Sequence, residues 1–175
     1  MSQTVVTVVS LLLYASSTGL AQEWSRFRGP NGSGVSMART VPTAWSDDDY
    51  NWTTKLPGSG HSSPVVWRDR VYVTSGDEQL GTRRLVAVDT SNGVKLWVKE
   101  FKAERHKKHA LNSFASATAV VDARHVYTVW GTPSRSFVAA VDHMGREVWQ
   151  AQLPPFRSGH GFGVSPMLFE DRLIL

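Results

Sequence analysis

Four histidines of this sequence have side chains that could do chemistry, and they lie in loops of the same kind. His61, His106, His109 and His160 each lie in a polar loop that joins two apolar stretches. Imidazole groups that meet at one point can ligate a metal ion or transfer a proton. Apart from the loosely placed pair His106 and His109, none has a partner at a ligand spacing. We therefore expect hydrogen-bonded or solvated loop histidines and predict no metal site.

The segment from Lys102 to His109 is the densest positive run of the chain, with Lys107 and Lys108 near its centre. A solvated loop is the plainer interpretation of such a run. The alternative is a docking site for an acidic partner, an anionic sugar or a phosphate-rich surface, because clustered cations attract anions.

A second pair of cations lies near the N-terminus, where Arg26 and Arg28 flank Phe27 ahead of a Gly-Pro-Asn-Gly turn. The plainer interpretation is an N-terminal segment that lies against the fold with Phe27 buried. The alternative is an anion site in which the two guanidinium groups converge.

Composition and motifs exclude several classes of protein. The 175 residues include no cysteine, which excludes a disulfide scaffold, iron–sulfur clusters and cysteine zinc sites. The net charge of +4 is spread along the chain, so we expect no nucleic-acid partner. The sequence contains no nucleophile elbow, metalloprotease helix motif, phosphate loop or dinucleotide fingerprint, and we assign no catalytic residue.

The first 21 residues have the pattern of a secretory signal peptide. They contain no charged side chain, and Gly19-Leu20-Ala21 places small residues at the positions that precede a cleavage site. We therefore expect an exported protein, periplasmic or extracellular, that does not contact a membrane directly.

The elements that position these residues form a repeat. Trp52, Trp97 and Trp149 recur at near-regular intervals, each followed four positions later by an apolar residue. Between them lie short β-rich runs separated by Gly, Asn and Asp turns, with no amphipathic helical pattern. Four strands per interval are typical of a propeller blade. The sequence predicts an all-β propeller of four-stranded antiparallel blades, with a solenoid of stacked β-units as the alternative.

The repeat divides the chain into a signal peptide (1–21), an N-terminal segment (22–56) and incomplete propeller repeats (57–175). Blades are expected at about 63–101, 117–153 and 165–175, the last with only two strands. Trp52–Leu56 is expected to be the outermost strand of a blade whose other strands come from elsewhere. Because a propeller usually has about four to eight blades, we interpret the chain as the front end of a larger ring.

The turn before each later tryptophan has its own pattern. Asp89 and Asp142 end their strands, where a carboxylate accepts the backbone N–H groups of the turn. Gly93 and Gly145 follow, and glycine adopts the positive φ that such a turn requires. Propeller loops alternate between two faces, so we expect the four loop histidines on one face and His125 and His143 on the other.

One repeat phrase closely resembles a known blade signature. Residues Ala87–Trp97 resemble the rough pattern A-x-D-x-x-T-G-x-x-x-W of PQQ-like β-propeller repeat proteins, named after pyrroloquinoline quinone (PQQ), with Asn92 at the threonine position, and Ala140–Trp149 resemble a shortened form. The opening Trp24–Val35 resembles the N-terminal motif of secreted, planctomycete-type members. The resemblance implies that Trp52, Trp97 and Trp149 dock between adjacent blades, each indole N–H bonding a backbone acceptor.

The resemblance is compatible with more than one function. We expect a non-catalytic scaffold that binds a protein or a glycan on its loop face, without a cofactor. The alternative is a fragment of a PQQ-dependent alcohol or sugar dehydrogenase, which would hold PQQ and calcium. Asn112 and Asp142 are residue types that such a calcium set uses, but the adjacent cysteines typical of these enzymes are absent. A further alternative is the propeller subunit of outer-membrane protein assembly, although no lipidation cysteine is present.

Overall fold

The computed structural model describes residues 23–39 and 41–175, and the expected signal peptide lies outside the described residues. The predicted all-β class is confirmed: the described part contains ten strands, one three-residue 3-10 helix (Asp47–Asp49) and no α-helix. Within that part, no helix is long and apolar enough to cross a membrane.

The strands form two four-stranded antiparallel sheets and one two-stranded sheet. The first blade consists of β1 (Val65–Trp67), β2 (Arg70–Asp77), β3 (Thr82–Asp89) and β4 (Lys95–Lys102). The second blade consists of β5 (Val120–Val121), β6 (His125–Gly131), β7 (Ser136–Asp142) and β8 (Glu147–Leu153). The third sheet pairs β9 (Met167–Phe169) with β10 (Arg172–Ile174).

Burial along the strands explains their order within a blade. The third strands, β3 and β7, carry continuous apolar runs that are almost fully buried. The fourth strands, β4 and β8, are mostly exposed and mix charged with apolar residues. An inner strand is covered on both faces and therefore needs no polar face, whereas the outer strand borders water.

A bulge in each outer hairpin determines where its tryptophan lies. In the first blade Ala87 pairs with Trp97 while Val88 pairs with Lys95, so Leu96 is an extra residue. The second blade shifts its register at the equivalent position. The tryptophan of each outer strand therefore lies opposite a fully buried alanine, which leaves room for the indole ring.

The first two blades share one hydrophobic core. Its buried side chains come from both sheets: Val65, Tyr72, Leu85, Ala87, Phe101, Ala119, Val121, Val126, Trp130, Phe137, Ala139 and Val141. Phe101 and Trp130 meet across the boundary with their ring centroids 4.5 Å apart. Each sheet therefore buries one face against its neighbour, as adjacent blades of a propeller do.

The N-terminal segment crosses the innermost strands. Trp24 and Val66 exchange two backbone hydrogen bonds of 3.1 and 2.9 Å, and the Ser25 carbonyl accepts one of 2.9 Å from Val121. Phe27, expected to be buried, is 48% exposed. The half-buried Trp24 anchors this segment instead, since its ring lies directly over Gly29, where φ is +77°.

The outer strand expected at Trp52–Leu56 stays a prediction, because its partner strands were expected to come from elsewhere. The structure assigns no strand there, because no described strand forms a ladder with these residues. Side chains hold the segment in place instead: Trp52 and Thr54 donate hydrogen bonds to carbonyls of the β3–β4 turn.

Candidate functional site

Two ends of the sheets differ in what they carry. We call the end at Asp89 and Asp142 the turn end, and the end at Gly76 and Gly131 the loop end. The inter-blade connections lie at the loop end, where Ser59 forms a bridge with Gly76 and Phe162 packs on Gly131.

At the turn end, Trp52 and Trp97 contact the next turn along the chain in the same way. The Trp52 indole donates a 2.8 Å hydrogen bond to the Thr90 carbonyl, and the Trp97 indole donates one of 3.0 Å to the His143 carbonyl. A Cβ at Gly93 would lie 2.6 Å from the Trp52 ring. A Cβ at Gly145 would lie 2.9 Å from the Trp97 ring, so glycine is required at both turns.

Trp149 lies on the outer strand of the second blade and is 40% exposed. Its ring centroid is 6.0 Å from that of Tyr127 in its own blade. Unlike Trp52 and Trp97, it is not covered by the glycine of a following turn within the described residues.

Asp89 and Asp142 shape their turns. The Asp89 carboxylate accepts a hydrogen bond from the Ser91 backbone N–H at 2.8 Å. The Asp142 carboxylate accepts one from Met144 at 2.9 Å and pairs with the Arg146 guanidinium at 2.6 Å. Burial by itself raises the pKa of Asp142, but hydrogen bonds from Arg146 and Met144 outweigh it and lower that pKa.

His143 also lies at the turn end, between the first two blades. Its Nε2 lies 3.0 Å from the Asp122 carbonyl, and its Nδ1 lies 2.6 Å from the Tyr72 hydroxyl. Because a carbonyl only accepts, Nε2 carries the proton and Nδ1 accepts from Tyr72. Nδ1 therefore links the two blades, whereas Nε2 holds the ring within its own blade.

The four loop histidines lie at the loop end but do not converge on one point. His106 stacks on Phe114 with 4.8 Å between ring centroids, and the His109 and His160 centroids are 5.3 Å apart. His61 is exposed, and its backbone N–H donates to Ala115 at 3.0 Å. Among residues 23–39 and 41–175, no three potential ligands are grouped to hold a metal ion.

The basic run borders an open cleft at the loop end. The cleft has a volume of about 680 Å³ and is lined by Glu78, Gln79, residues 105–108 and Phe114. Lys108 pairs with Glu78 at 2.9 Å, whereas Lys107 is exposed. Burial lowers the pKa of His106, which favours a neutral imidazole against Phe114. The cleft therefore presents cations beside an aromatic wall.

The sequence reasoning missed Arg83. This residue is only 4% exposed, and its guanidinium carbon lies 3.8 Å from the centre of the Phe114 ring. Strand alternation offered a signal, because Arg83 shares a face of β3 with Leu85 and Ala87 of the core. The neighbouring Arg84 shows the usual outcome and pairs with Glu100 at 2.6 Å.

Arg26 and Arg28 bond mainly within their own loop. The Arg26 Nε donates to the Gly29 carbonyl at 3.2 Å, and its Nη1 lies 3.7 Å from the Met167 sulfur. The exposed Arg28 donates to the Ser33 carbonyl at 3.4 Å. Each guanidinium therefore helps to hold the N-terminal turns.

The two residues named for a calcium set do not fit one ion. Asp142 ends β7 at the turn end, whereas Asn112 bonds His160 at the loop end, so the length of a seven-residue strand, about 20 Å, separates them. The Asn112 amide oxygen already accepts from Ser113 and Ser116. These residues therefore do not assemble the calcium site of a PQQ enzyme.

Comparison with known proteins places the chain in a family. The family model described as outer membrane protein assembly factor BamB, a PQQ-like repeat model, matches residues 35–165, well over half of the chain. A comparison with curated proteins finds no match. The matched range contains the two complete blades, and the family is one of propellers. The chain therefore belongs to the PQQ-like repeat family of β-propeller proteins.

Proposed function

We propose that this chain is part of an exported propeller that binds an acidic partner at its loop end and does not itself catalyse a reaction. The observation that carries the proposal is the cleft bordered by residues 105–108. Its lining contains three cations, Arg105, Lys107 and Lys108, but one carboxylate, Glu78. Clustered cations over an open surface raise the local concentration of anions and steer their approach.

The turn end supports this assignment by contrast. Its indole N–H groups, its His143 ring nitrogens and its aspartates all bond within the protein. The Trp97 indole and the Tyr72–His143 hydrogen bond join the two blades, and the other bonds lie within one turn or one blade. The loop end is therefore the face at which we expect a partner to bind.

Binding of a polyanion tests the proposal. The full chain is titrated with polygalacturonate and, separately, with polyglutamate, while salt is raised from about 0.05 M to about 0.5 M. We expect binding that weakens with salt and weakens at least about tenfold in Lys107→Glu, because a cation in the cleft becomes an anion. Arg124→Glu makes the same charge change in the exposed β5–β6 turn and is expected to bind like the wild type. A polyanion affinity that changes neither with salt nor in Lys107→Glu would overturn the proposal.

The exported location is also proposed. It rests on the leader pattern of residues 1–21 and on a family that is typically exported or periplasmic. N-terminal sequencing of the mature protein is expected to begin at Gln22, and an intact Met1 in the secreted fraction would contradict cleavage.

A second candidate function comes from the family match. The matching model is described as an outer-membrane protein assembly factor, so a role in that assembly is the alternative partner function. It predicts that cells lacking the protein contain less folded outer-membrane β-barrel protein. If the amount of folded outer-membrane β-barrel protein is unchanged in such cells, this second function is contradicted and the acidic-partner proposal stands by itself.

A further inference from the structure

A buried guanidinium at the loop end lacks acceptors for two of its nitrogens. Arg83 Nη1 donates to the Gly81 carbonyl at 2.8 Å. Its Nε and Nη2 have no hydrogen-bond partner among the described residues, although the side chain is almost fully buried. Buried polar groups are nearly always paired, so an unpaired cation in this position requires an explanation.

The two unpaired nitrogens lie on the same edge of the guanidinium plane. Nε–H and the neighbouring Nη2–H form the fork that accepts both oxygens of a carboxylate side by side. A single fork of two parallel donors matches a planar carboxylate better than a tetrahedral dianion, which has additional oxygens to satisfy. The geometry of the free edge therefore indicates a carboxylate.

A second unpaired donor lies beside Arg83. The indole Nε1 of Trp130 is buried without a partner among residues 23–39 and 41–175. Arg83, Trp130 and Phe114 together line two small cavities of about 10 Å³ each. A space of this size holds about one water molecule, so each cavity takes at most one acceptor oxygen. Donors and space for acceptor oxygens thus occur in the same place.

No carboxylate of the described residues forms a direct ion pair with Arg83. Glu78 pairs with Lys108, and Glu104 accepts hydrogen bonds from Ser134. Burial lowers the pKa of Arg83 to about 10, although the charges of Glu104 and Glu78 act to raise it, and the group is charged at neutral pH. An incoming anion that bonds Nε and Nη2 would therefore supply hydrogen bonds that neither carboxylate makes.

The small cavity adjoins the open cleft. His106, Lys108 and Phe114 line both spaces, so these side chains are what separates a ligand in the cleft from Arg83. Ser113 and Ser116 also line the cavity and offer hydroxyl groups. The cleft of about 680 Å³ has the size of a small-molecule site, and the His106–Phe114 stack gives it a flat aromatic wall.

We propose that Arg83 holds the carboxylate of an acidic sugar, whose ring lies in the cleft against Phe114 and His106. This inference rests on the proposed function, because it names the chemistry of the acidic partner at the same end of the sheets. A sugar suits the site because hydroxyl-bonding groups and an aromatic wall surround the cation.

Glucuronate is the probe that tests the assignment, with glucose as the neutral control of the same ring. Calorimetric titration of the full chain is expected to show binding of glucuronate and none of glucose. Arg83→Lys is expected to weaken glucuronate binding at least about tenfold, because an ammonium group cannot replace the planar fork. Arg83→Met is expected to abolish binding, and circular dichroism checks that both variants fold. Lys95→Met, on the exposed start of β4 at the turn end, is the control that should bind like the wild type.

The outcomes separate this inference from the proposed function. Polyanion binding that depends on Lys107 while glucuronate fails to bind would overturn the sugar site and leave the scaffold proposal in place. Tri-glutamate that binds through Arg83 more tightly than glucuronate would show that the carboxylate comes from a peptide and would overturn the sugar assignment. Glucuronate binding unchanged in Arg83→Met would overturn the role of Arg83.

Discussion

The turn end and the loop end of the same two blades differ in how their buried polar groups are paired, although Arg70 Nε at the turn end, 3.7 Å from the Asp69 carboxylate, also lacks a hydrogen bond. At the turn end, the indole N–H of Trp97 and both ring nitrogens of His143 are bonded within the protein. At the loop end, Arg83 and Trp130 hold buried donors without partners in the described part of the chain. The turn end therefore stabilises the contact between blades, whereas the loop end carries the unpaired donors on which the proposed binding depends.

The largest expected effect is at the turn end. Trp97→Ala removes a ring that packs on Tyr72, with 5.8 Å between centroids, and a hydrogen bond to His143. We expect the free energy of unfolding to fall by about 3–5 kcal/mol, measured by urea denaturation. Trp45→Ala, at a site that is 58% exposed, is the control and should cost less than about 0.5 kcal/mol. Equal losses in the two variants would contradict the special role of the turn end.

The glycines of the turn end allow a finer test. Gly145 has a φ of +84°, and a Cβ there would lie 2.9 Å from the Trp97 ring. We expect Gly145→Ala to destabilise the protein by about 2 kcal/mol or more, since backbone strain and steric overlap add. Gly159→Ala at the loop end is the matched control, because a Cβ at that position would have no heavy atom within 4 Å. Thermal unfolding of the two variants measures the difference, which should shrink to the backbone strain alone, about 1 kcal/mol, if the indole is free to move away.

At the loop end the expected sign reverses. Arg83→Met replaces an unpaired buried cation by an apolar side chain of similar length, so we expect a gain of about 1 kcal/mol in the free energy of unfolding. Arg84→Met removes the 2.6 Å pair with Glu100 and should instead cost about 0.5–1 kcal/mol. A large loss of stability in Arg83→Met would show that the guanidinium serves the fold rather than a ligand.

The smallest effect concerns acid stability at the turn end. Burial by itself raises the pKa of Asp122, but hydrogen bonds from the backbone of His125 and Arg124 outweigh it, and the pKa is lowered. The contribution of this carboxylate is therefore present above its unfolded pKa of about 3.9 and is lost as pH falls through the folded value. Asp122→Asn should show a flatter decline in stability between about pH 5 and pH 2. An unchanged slope would contradict this role.

The sequence predicted the fold because the information is local and repeated. The phrase Ala87–Trp97 contains two strand ends, a turn and the outer-strand tryptophan within eleven positions, and the second blade repeats it. Alternating and continuous apolar runs then separate outer from inner strands. At Trp52–Leu56 no strand forms among the described residues, since a strand exists only where another strand supplies its ladder.

The sequence predicted the basic run of the candidate site but not Arg83, whose neighbours in the fold are distant in the chain. Alternation places the adjacent Arg83 and Arg84 on opposite faces of β3, but only the tertiary structure shows that Phe114 covers the first and Glu100 pairs with the second. Phe27 shows the same limit, since its 48% exposure depends on Trp24 having taken the anchoring position.

By itself, the sequence determined the blade: its strands, the positive-φ turn glycines and the tryptophan that follows them. These depend on backbone conformation and hydrophobic pattern, which act over a few residues. Only the tertiary structure decided which cations are paired, because the surroundings of Arg83 include Phe114 and Phe162 from the connections between the sheets. Burial makes this pairing matter for the free energy of folding, since a cation without an acceptor is tolerated in water but is costly in a protein interior.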